Sequence, residues 1–160
     1  MAADIIVVIA VLAVDRITKE LAARLPAVGM EIIPGILGLR YTENRGIAFS
    51  MLSGQTWLIA AVSAAAIAAM AVWLIRGDLT GLPRFGLLLM LGGAAGNLAD
   101  RLFRGFVPDM IEVLFTNFAV FNAADACLTV GCVLLAAGIL FPADRQGKDG
   151  KGGGRNERNG

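Results

Sequence analysis

The chain has 160 residues, of which 57% are apolar and 17% are charged, and its formal net charge is +1. In soluble domains about a quarter of the residues are charged, so the low charged fraction of this chain predicts a small membrane protein of one domain. The near-neutral charge excludes a nucleic-acid partner, and the absence of histidine excludes histidine-dependent serine or cysteine catalysis and most catalytic zinc sites. We expect no metal and no other cofactor.

Four apolar segments are long enough to be transmembrane helices, because about 20 helical residues cross the hydrocarbon layer. The first has charged residues in its second half, but its start carries Asp4 instead of Lys or Arg, so we interpret it as an uncleaved helix and not as a signal peptide. The second carries Trp57 and Trp73 near its ends, where indole rings favour the headgroup level. The predicted helices cover residues 5–25, 57–75, 85–103 and 118–141.

The segment between the first two helices, residues 26–56, predicts a small β-sheet on the membrane surface. Pro34 and Gly35 exclude a helix there, and apolar and polar residues alternate over residues 37–42, which predicts a short strand. A second extended piece is expected over residues 47–52. The predicted fold class is an all-α membrane protein with four transmembrane helices and a small extracytoplasmic β-sheet between helices one and two.

The chain is expected to consist of a folded part followed by a disordered part. Residues 1–141 are predicted to form the membrane domain, and the Gly-rich, charged residues 142–160 to form a disordered cytoplasmic tail. Lys and Arg residues near the helix ends are only weakly biased between the two sides of the membrane. If several cations on one side have functional roles, the remaining balance favours both termini in the cytoplasm.

The order of four spans places most polar residues of the helices at one face of the membrane. The end of helix one, the start of helix two, the end of helix three and the start of helix four share that face in either orientation. A charge at mid-bilayer costs about 2.5 to 3.5 kcal/mol, so polar residues within spans usually face a partner or a cavity. The cluster therefore predicts a functional site, whose members are Asp15, Lys19, Asn44, Asn97, Asp100, Arg101, Asn122 and Asp125, with Asp109 in the last connection.

Some charged members of this cluster also have a purely structural interpretation. Asp15 and Lys19 are one helical turn apart and are expected to pair, which favours a structural role. Asp100 and Arg101 are either members of the site or side chains that extend to the headgroup region. The sequence leaves both interpretations open for these two residues.

Small and amide side chains lie on the third and fourth helices. Gly92, Gly93 and Gly96 are interpreted as positions of close helix packing in preference to substrate contacts. The amides of Asn97 and Asn122 are expected to support a carboxylate or a backbone segment.

Asp109 and Asp125 are the best candidates for a catalytic pair. The first follows Pro108 in a predicted loop, and the second lies in the first turns of an apolar helix. Two carboxylates brought close together share one proton, as in aspartic peptidases, where one activates water and its protonated partner polarises the scissile carbonyl. Spacing alone leaves this pair as one choice among several.

Two other functions are compatible with single features of the sequence. Intramembrane carboxylates also mark proton or ion carriers, although a carrier is expected to distribute them through the depth of the bilayer. A serine–lysine peptidase would use Lys19 with Ser50 or Ser53, but Lys19 already has Asp15 nearby.

Five segments resemble, in order, the motifs of bacterial lipoprotein signal peptidases, the signal peptidase II family. They are DRITK at 15–19, NRGIAF at 44–49, GGAAGNLADR at 92–101, VPD at 107–109 and FNAAD at 121–125. The resemblance extends over about residues 5–140. Met110, Cys127 and Arg16 stand where the family commonly has Phe, Ser and Gln, which affects details of the pocket and inhibitor affinity but removes no catalytic group.

The resemblance implies a membrane aspartic endopeptidase that removes signal peptides from prolipoproteins by cutting before a diacylglyceryl-modified cysteine. It also implies inhibition by globomycin, a location among the lipids of the bacterial inner membrane, and an active site near the outer face. We expect a monomer. The implied catalytic residues are Asp109 and Asp125, and the implied positioning or supporting residues are Asp15, Lys19, Asn44, Gly46, Gly93, Asn97, Asp100, Arg101 and Asn122.

Overall fold

A computed structural model describes residues 2–46, 52, 54–116 and 118–141. Within these residues the chain forms four α-helices and three β-strands. In chain order they are α1 (Ala2–Ala22), β1 (Met30–Ile33), β2 (Leu37–Asn44), α2 (Thr56–Arg76), α3 (Gly81–Phe103), β3 (Val107–Val113) and α4 (Ala123–Leu140). The predicted fold class, a helical membrane protein with a small sheet after the first helix, is confirmed.

The four helices have the dimensions of a membrane bundle. Helices α2, α3 and α4 are each long and apolar enough to cross a bilayer. Helix α1 has 21 residues and carries charged side chains, but Asp15 and Lys19 are buried against neighbouring elements and do not face lipid. This burial makes α1 compatible with the fourth predicted span.

Glycine residues allow the helices to approach each other closely around α3. A Cβ atom at Gly93 would lie 2.5 Å from the carbonyl oxygen of Ala124 in α4, and one at Gly92 would lie 2.8 Å from Val11 in α1. Larger side chains would force the helices apart. The predicted close-packing role of these glycines is confirmed, and α3 is the helix that brings α1, α2 and α4 together.

The sheet is antiparallel, with strand order β1-β2-β3. The predicted strand over residues 37–42 is confirmed as part of β2, but the expected extended piece at 47–52 falls mostly outside the described residues, and Leu52 lies in a turn. Both partners of β2 were missed. The third strand is supplied by the connection between α3 and α4, so the sheet joins the two halves of the chain.

The prediction that Asp109 lies in a loop was wrong, because it is the third residue of β3. Pro and Asp are rare in strands, and Pro108 and Asp109 therefore concealed this one from the sequence pattern. Pairing with β2 holds the segment extended despite its composition.

The boundaries of the helices also differ from those predicted. Helix α4 begins at Ala123 and not at Phe118, because the side chain of Asn122 accepts a hydrogen bond from the backbone of Asp125 and caps the helix. The residues before it are held by backbone hydrogen bonds between Phe121 and Ile111. Helices α1 and α3 each begin earlier than their apolar cores indicated, at residues 2 and 81.

Candidate active site

The register of β2 and β3 determines the surroundings of Asp109. Thr42 lies opposite Asp109, so Asn44, two residues further along β2, projects from the same face of the sheet. Its Nδ2 donates a hydrogen bond to Asp109 Oδ2 at 2.9 Å, while its Oδ1 accepts one from the backbone N–H of Gly46 at 2.9 Å. The Asp109 side chain is held by β2 and is almost completely buried, with 2% of its surface exposed.

Asp125 lies in the first turn of α4 and is only half-buried. Its Oδ1 accepts a hydrogen bond from Asn97 Nδ2 at 2.8 Å, and its Oδ2 accepts one from the backbone N–H of Asn122 at 3.3 Å. The amino end of a helix carries a partial positive charge that favours a carboxylate. Asp125 therefore lies at a position that stabilises its negative charge, and it is also partly exposed.

Asn122 joins these two carboxylates. Its Nδ2 donates to Asp109 Oδ1 at 2.6 Å, and its Oδ1 accepts from the backbone N–H of Asp125 at 3.0 Å. The residue is fully buried. The side chain of Asn122 thus contacts the Asp109 carboxylate, and its backbone N–H contacts the Asp125 carboxylate. This one residue links the predicted pair, although the two aspartates come from a strand and a helix that are separated in sequence.

Lys19 lies at the centre of a buried ionic cluster behind this pair. Its Nζ is 2.8 Å from Asp15 Oδ2 and 2.7 Å from Asp100 Oδ2, and it donates to Asn97 Oδ1 at 2.9 Å. The predicted pairing of Asp15 with Lys19 is confirmed. Because Asp100 is only 5% exposed and paired with Lys19, the alternative that it extends to the headgroups is wrong. The ion pairs with two carboxylates disfavour Lys19 as the base of a serine–lysine peptidase.

Asp15 is positioned by the elements that meet at its carboxylate. Its Oδ1 accepts a hydrogen bond from the backbone N–H of Ala124 at 3.2 Å. A Cβ atom at Gly96 would lie 2.5 Å from Asp15 Oδ2, so the absence of a side chain there admits the carboxylate. Asp15 therefore ties α1 to α3 and to the start of α4.

Arg101 is directed inward and not toward the headgroups. Its guanidinium donates to the backbone oxygen of Asn97 at 3.3 Å and to that of Gly46 at 3.0 Å. Gly46 is buried, and its contact fixes the chain just after β2 against α3. Arg101 and Gly46 therefore belong to the cluster, whereas Gly93 serves it from a distance by packing α3 against α4.

The sequence did not indicate the part played by Arg104. Its Nε lies 3.4 Å from Asp100 Oδ1, and its guanidinium also pairs with Glu20 of α1. The spacing of four residues between Asp100 and Arg104 was the available signal, since such residues are neighbours on a helix surface.

Burial changes the protonation of Asp109. Removal from water raises the pKa of its carboxyl from 3.8 to about 6. Hydrogen bonds from Asn44 and Asn122 oppose this increase, and the negative charge of Asp125 adds to it. The two carboxylates therefore have different environments, one buried and favouring its proton, the other half-buried at a helix amino end.

Within the described ranges, no three His, Cys, Asp or Glu side chains are grouped so that they could hold a metal ion.

The profile of the Peptidase_A8 family, described as Signal peptidase (SPase) II, matches residues 7–141. The chain belongs to the signal peptidase II family. As a member of it, the chain is a peptidase with membrane-spanning helices that removes signal peptides from prolipoproteins, and an aspartic mechanism is consistent with this family.

Individual relatives extend the match along most of the chain. The lipoprotein signal peptidase of Clostridium acetobutylicum is 37% identical over 154 residues, which cover 92% of this chain and 99% of the relative. Those of Symbiobacterium thermophilum and Lactiplantibacillus plantarum are 40% and 36% identical, over 90% and 85% of this chain and 97% and 93% of the relatives.

Solved structures show the same fold. One bacterial membrane enzyme superimposes with a TM-score of 0.80 at 27% identity, with 88% of each chain covered. A second gives a TM-score of 0.79 at 27% identity over 89% of this chain and 96% of the other. The fold of this chain is therefore found in bacterial membrane enzymes of known structure.

Proposed function

We propose that Asp109 and Asp125 are the catalytic pair of this peptidase, and that the bond they cleave lies before a diacylglyceryl-modified cysteine of the prolipoprotein. The observation that carries the proposal is the bridge made by Asn122, which contacts both carboxyl groups. The other buried carboxylates of the described cluster, Asp15 and Asp100, are ion-paired with Lys19, and Asp100 also with Arg104. Asp109 and Asp125 are left with amide and backbone donors.

The different environments of the two carboxyl groups suggest how they divide the work. Asp109, buried and with its pKa raised to about 6, holds the proton and donates it as a hydrogen bond to the scissile carbonyl oxygen. Asp125, half-buried at the amino end of α4, is the base that accepts a proton from the attacking water.

In the proposed reaction, each proton that an aspartate gives or takes is returned by the end of the cycle. The hydroxide formed from water adds to the carbonyl carbon as Asp109 protonates its oxygen, which gives a neutral tetrahedral intermediate. The proton taken up by Asp125 passes to the departing nitrogen when the C–N bond breaks. The intermediate's hydroxyl returns its proton to Asp109, so both groups end in their starting states.

The depth of the site suits a lipid-anchored substrate. Asp109 and Asp125 lie where the sheet meets the helix bundle. Phe103, Phe115 and Trp57 are largely exposed near the same end, as expected of aromatic side chains at a membrane interface. A cysteine held by two acyl chains would present its peptide bond at this level. The sheet covers part of the site and would limit access of bulk water.

The orientation proposed for the membrane has the site near the outer face of the bacterial inner membrane and both termini in the cytoplasm. Three cations on the outer side, Lys19, Arg101 and Arg104, make buried or half-buried contacts within the cluster. They are accounted for by the site and not by topology. Arg24, Arg40 and Arg45 then remain in the connections on that side, against Arg76, Arg84, Arg145 and the four Lys and Arg residues of 148–158 on the other, and this balance favours the cytoplasm for both termini. We further propose that residues 1–141 form the peptidase domain, that residues 142–160 form a cytoplasmic tail, and that the protein is a monomer inhibited by globomycin-type compounds.

The experiment that tests the substrate uses purified protein in lipid with one prolipoprotein in two forms, with and without the diacylglyceryl group. We expect cleavage of the modified form only, with the modified cysteine as the new first residue, measured by mass spectrometry. Equal cleavage of both forms, or a cut at another bond, would contradict the proposed specificity.

A further inference from the structure

The side-chain amide of Asn97 has only one orientation that satisfies its neighbours. Its Oδ1 accepts a hydrogen bond from Lys19 Nζ at 2.9 Å, and an ammonium group has donors but no acceptor. The amide oxygen must therefore face Lys19, and the NH2 group must face the opposite way, where it donates to Asp125 Oδ1 at 2.8 Å. If the amide turned over, two oxygen atoms would meet at Asp125.

Lys19 is itself held firmly enough to impose this orientation. Its side chain is fully buried, and its Nζ contacts one oxygen each of Asp15 and Asp100. Asp15 is in turn held by the backbone N–H of Ala124 and Asp100 by Arg104. The ammonium thus donates hydrogen bonds to Asp15 and Asn97 and forms an ion pair with Asp100.

We propose that Lys19 is a positioning residue that acts on Asp125 through Asn97. The inference depends on the proposed catalytic role of Asp125. Lys19 fixes the amide of Asn97 so that its N–H group holds Asp125 Oδ1, and the carboxylate is thereby kept in the orientation in which it meets the water. Asn122 adds a longer contact, from its Nδ2 to Asn97 Oδ1 at 3.2 Å, which supports the same orientation.

This role goes beyond the ion pairing of α1. Asp15 and Asp100 already neutralise Lys19, so charge balance alone gives the ammonium no reason to contact Asn97. A purely structural Lys19 would affect folding, whereas a positioning Lys19 must affect turnover through Asn97. The two roles can therefore be separated by kinetics.

The experiment measures kcat and KM for a diacylglyceryl-modified prolipoprotein with the wild type, Lys19→Met, Asn97→Ala and the double variant. We expect each single change to lower kcat by about tenfold or more and to leave KM within about twofold. The double variant should be no slower than the slower single variant, because both changes remove the same donor from Asp125. Losses of kcat that multiply, or a change in KM alone, would overturn the proposal.

A variant that changes no charge protects the test against proteins that do not fold. Asn97→Leu keeps Lys19 paired with Asp15 and Asp100 and nearly the same side-chain size, but removes the N–H group that faces Asp125. Because it leaves no cavity, we expect thermal stability closer to that of the wild type than in Asn97→Ala, with the same loss of kcat. Wild-type kcat in Asn97→Leu would contradict the role of Asn97.

The control is Glu20→Gln, which alters an exposed ion pair beside the cluster and should leave kcat unchanged. Measurements on the wild type, Asp109→Asn and Asp125→Asn separate this inference from the proposed function. If the wild type does not cleave, or if Asp125→Asn cleaves at the wild-type rate, the proposed function fails. If these behave as proposed but the Lys19 and Asn97 losses multiply, the positioning role alone fails.

Discussion

Asn122 donates a hydrogen bond to Asp109 at 2.6 Å, and the same side chain caps the helix that carries Asp125. The amide oxygen is occupied by the backbone N–H of Asp125, so the NH2 group has to face Asp109. The start of α4 therefore determines how the strand residue and the helix residue are placed relative to each other. Substitutions of Asn122 should therefore affect two properties that can be measured separately, the stability given by the cap of α4 and the activity of the proposed catalytic pair.

Two substitutions of Asn122 are expected to separate these effects. Asn122→Ser keeps an oxygen for the helix cap but removes the donor to Asp109, and Asn122→Ala removes both. We expect both to lower kcat by about tenfold or more, while only the alanine variant loses a further ~1 kcal/mol of stability from the missing cap. Thermal unfolding and prolipoprotein cleavage measure the two effects. Equal stability of the two variants would argue against the capping role.

Gly93 is expected to control the distance between α3 and the start of α4. In Gly93→Ala the new methyl group would lie 2.5 Å from the carbonyl oxygen of Ala124, next to Asp125. The helices would have to separate, so we expect thermal stability to fall by about 1 to 3 kcal/mol and cleavage to be lost in parallel. Ala99→Leu is the matched control, because it enlarges an exposed position of the same helix. Similar behaviour of the two variants would show that the close contact is unimportant.

Stability should depend on pH through Asp109. Its pKa is raised in the folded protein from 3.8 to about 6, so folding favours the protonated carboxyl. The resulting stabilisation is fully present below about pH 4 and is lost as pH rises through about 6, with a total of at most about 3 kcal/mol. Thermal unfolding between pH 4 and 7 should show this decrease in the wild type but not in Asp109→Asn. Parallel curves for the two proteins would be inconsistent with a buried, proton-holding Asp109.

The helices of the bundle could be predicted because hydrophobic length is a local property of the sequence. The uncharged segment 57–75, with Trp57 and Trp73 near its ends, is one example, and predicting it required no knowledge of neighbouring elements. Span parity then placed Asp15, Asn97 and Asp125 at one face, and the structure brings them into one connected cluster.

The parts that could not be predicted depend on pairing between distant segments. Strand β3 contains Pro108 and Asp109, and only its register with β2 keeps it extended. The orientation of Asn97 depends on Lys19, which lies 78 positions earlier in the chain. Neither relationship leaves a periodic pattern in the sequence. The motif resemblance indicates which residues belong together, but the hydrogen bonds that distinguish their roles are visible only in the folded structure.

The catalytic pair is tested most directly by measuring cleavage of a diacylglyceryl-modified prolipoprotein by Asp109→Asn and Asp125→Asn, with Asp78→Asn as the control. Asp78 is an exposed carboxylate between α2 and α3, at the opposite end of the bundle from the cluster. Each asparagine is nearly the same size as the aspartate it replaces, so the variants should fold. We expect the control to cleave at the wild-type rate and both pair variants to lose at least about a thousandfold in kcat. Near-wild-type cleavage by either pair variant would contradict the assignment of Asp109 and Asp125 as the catalytic pair.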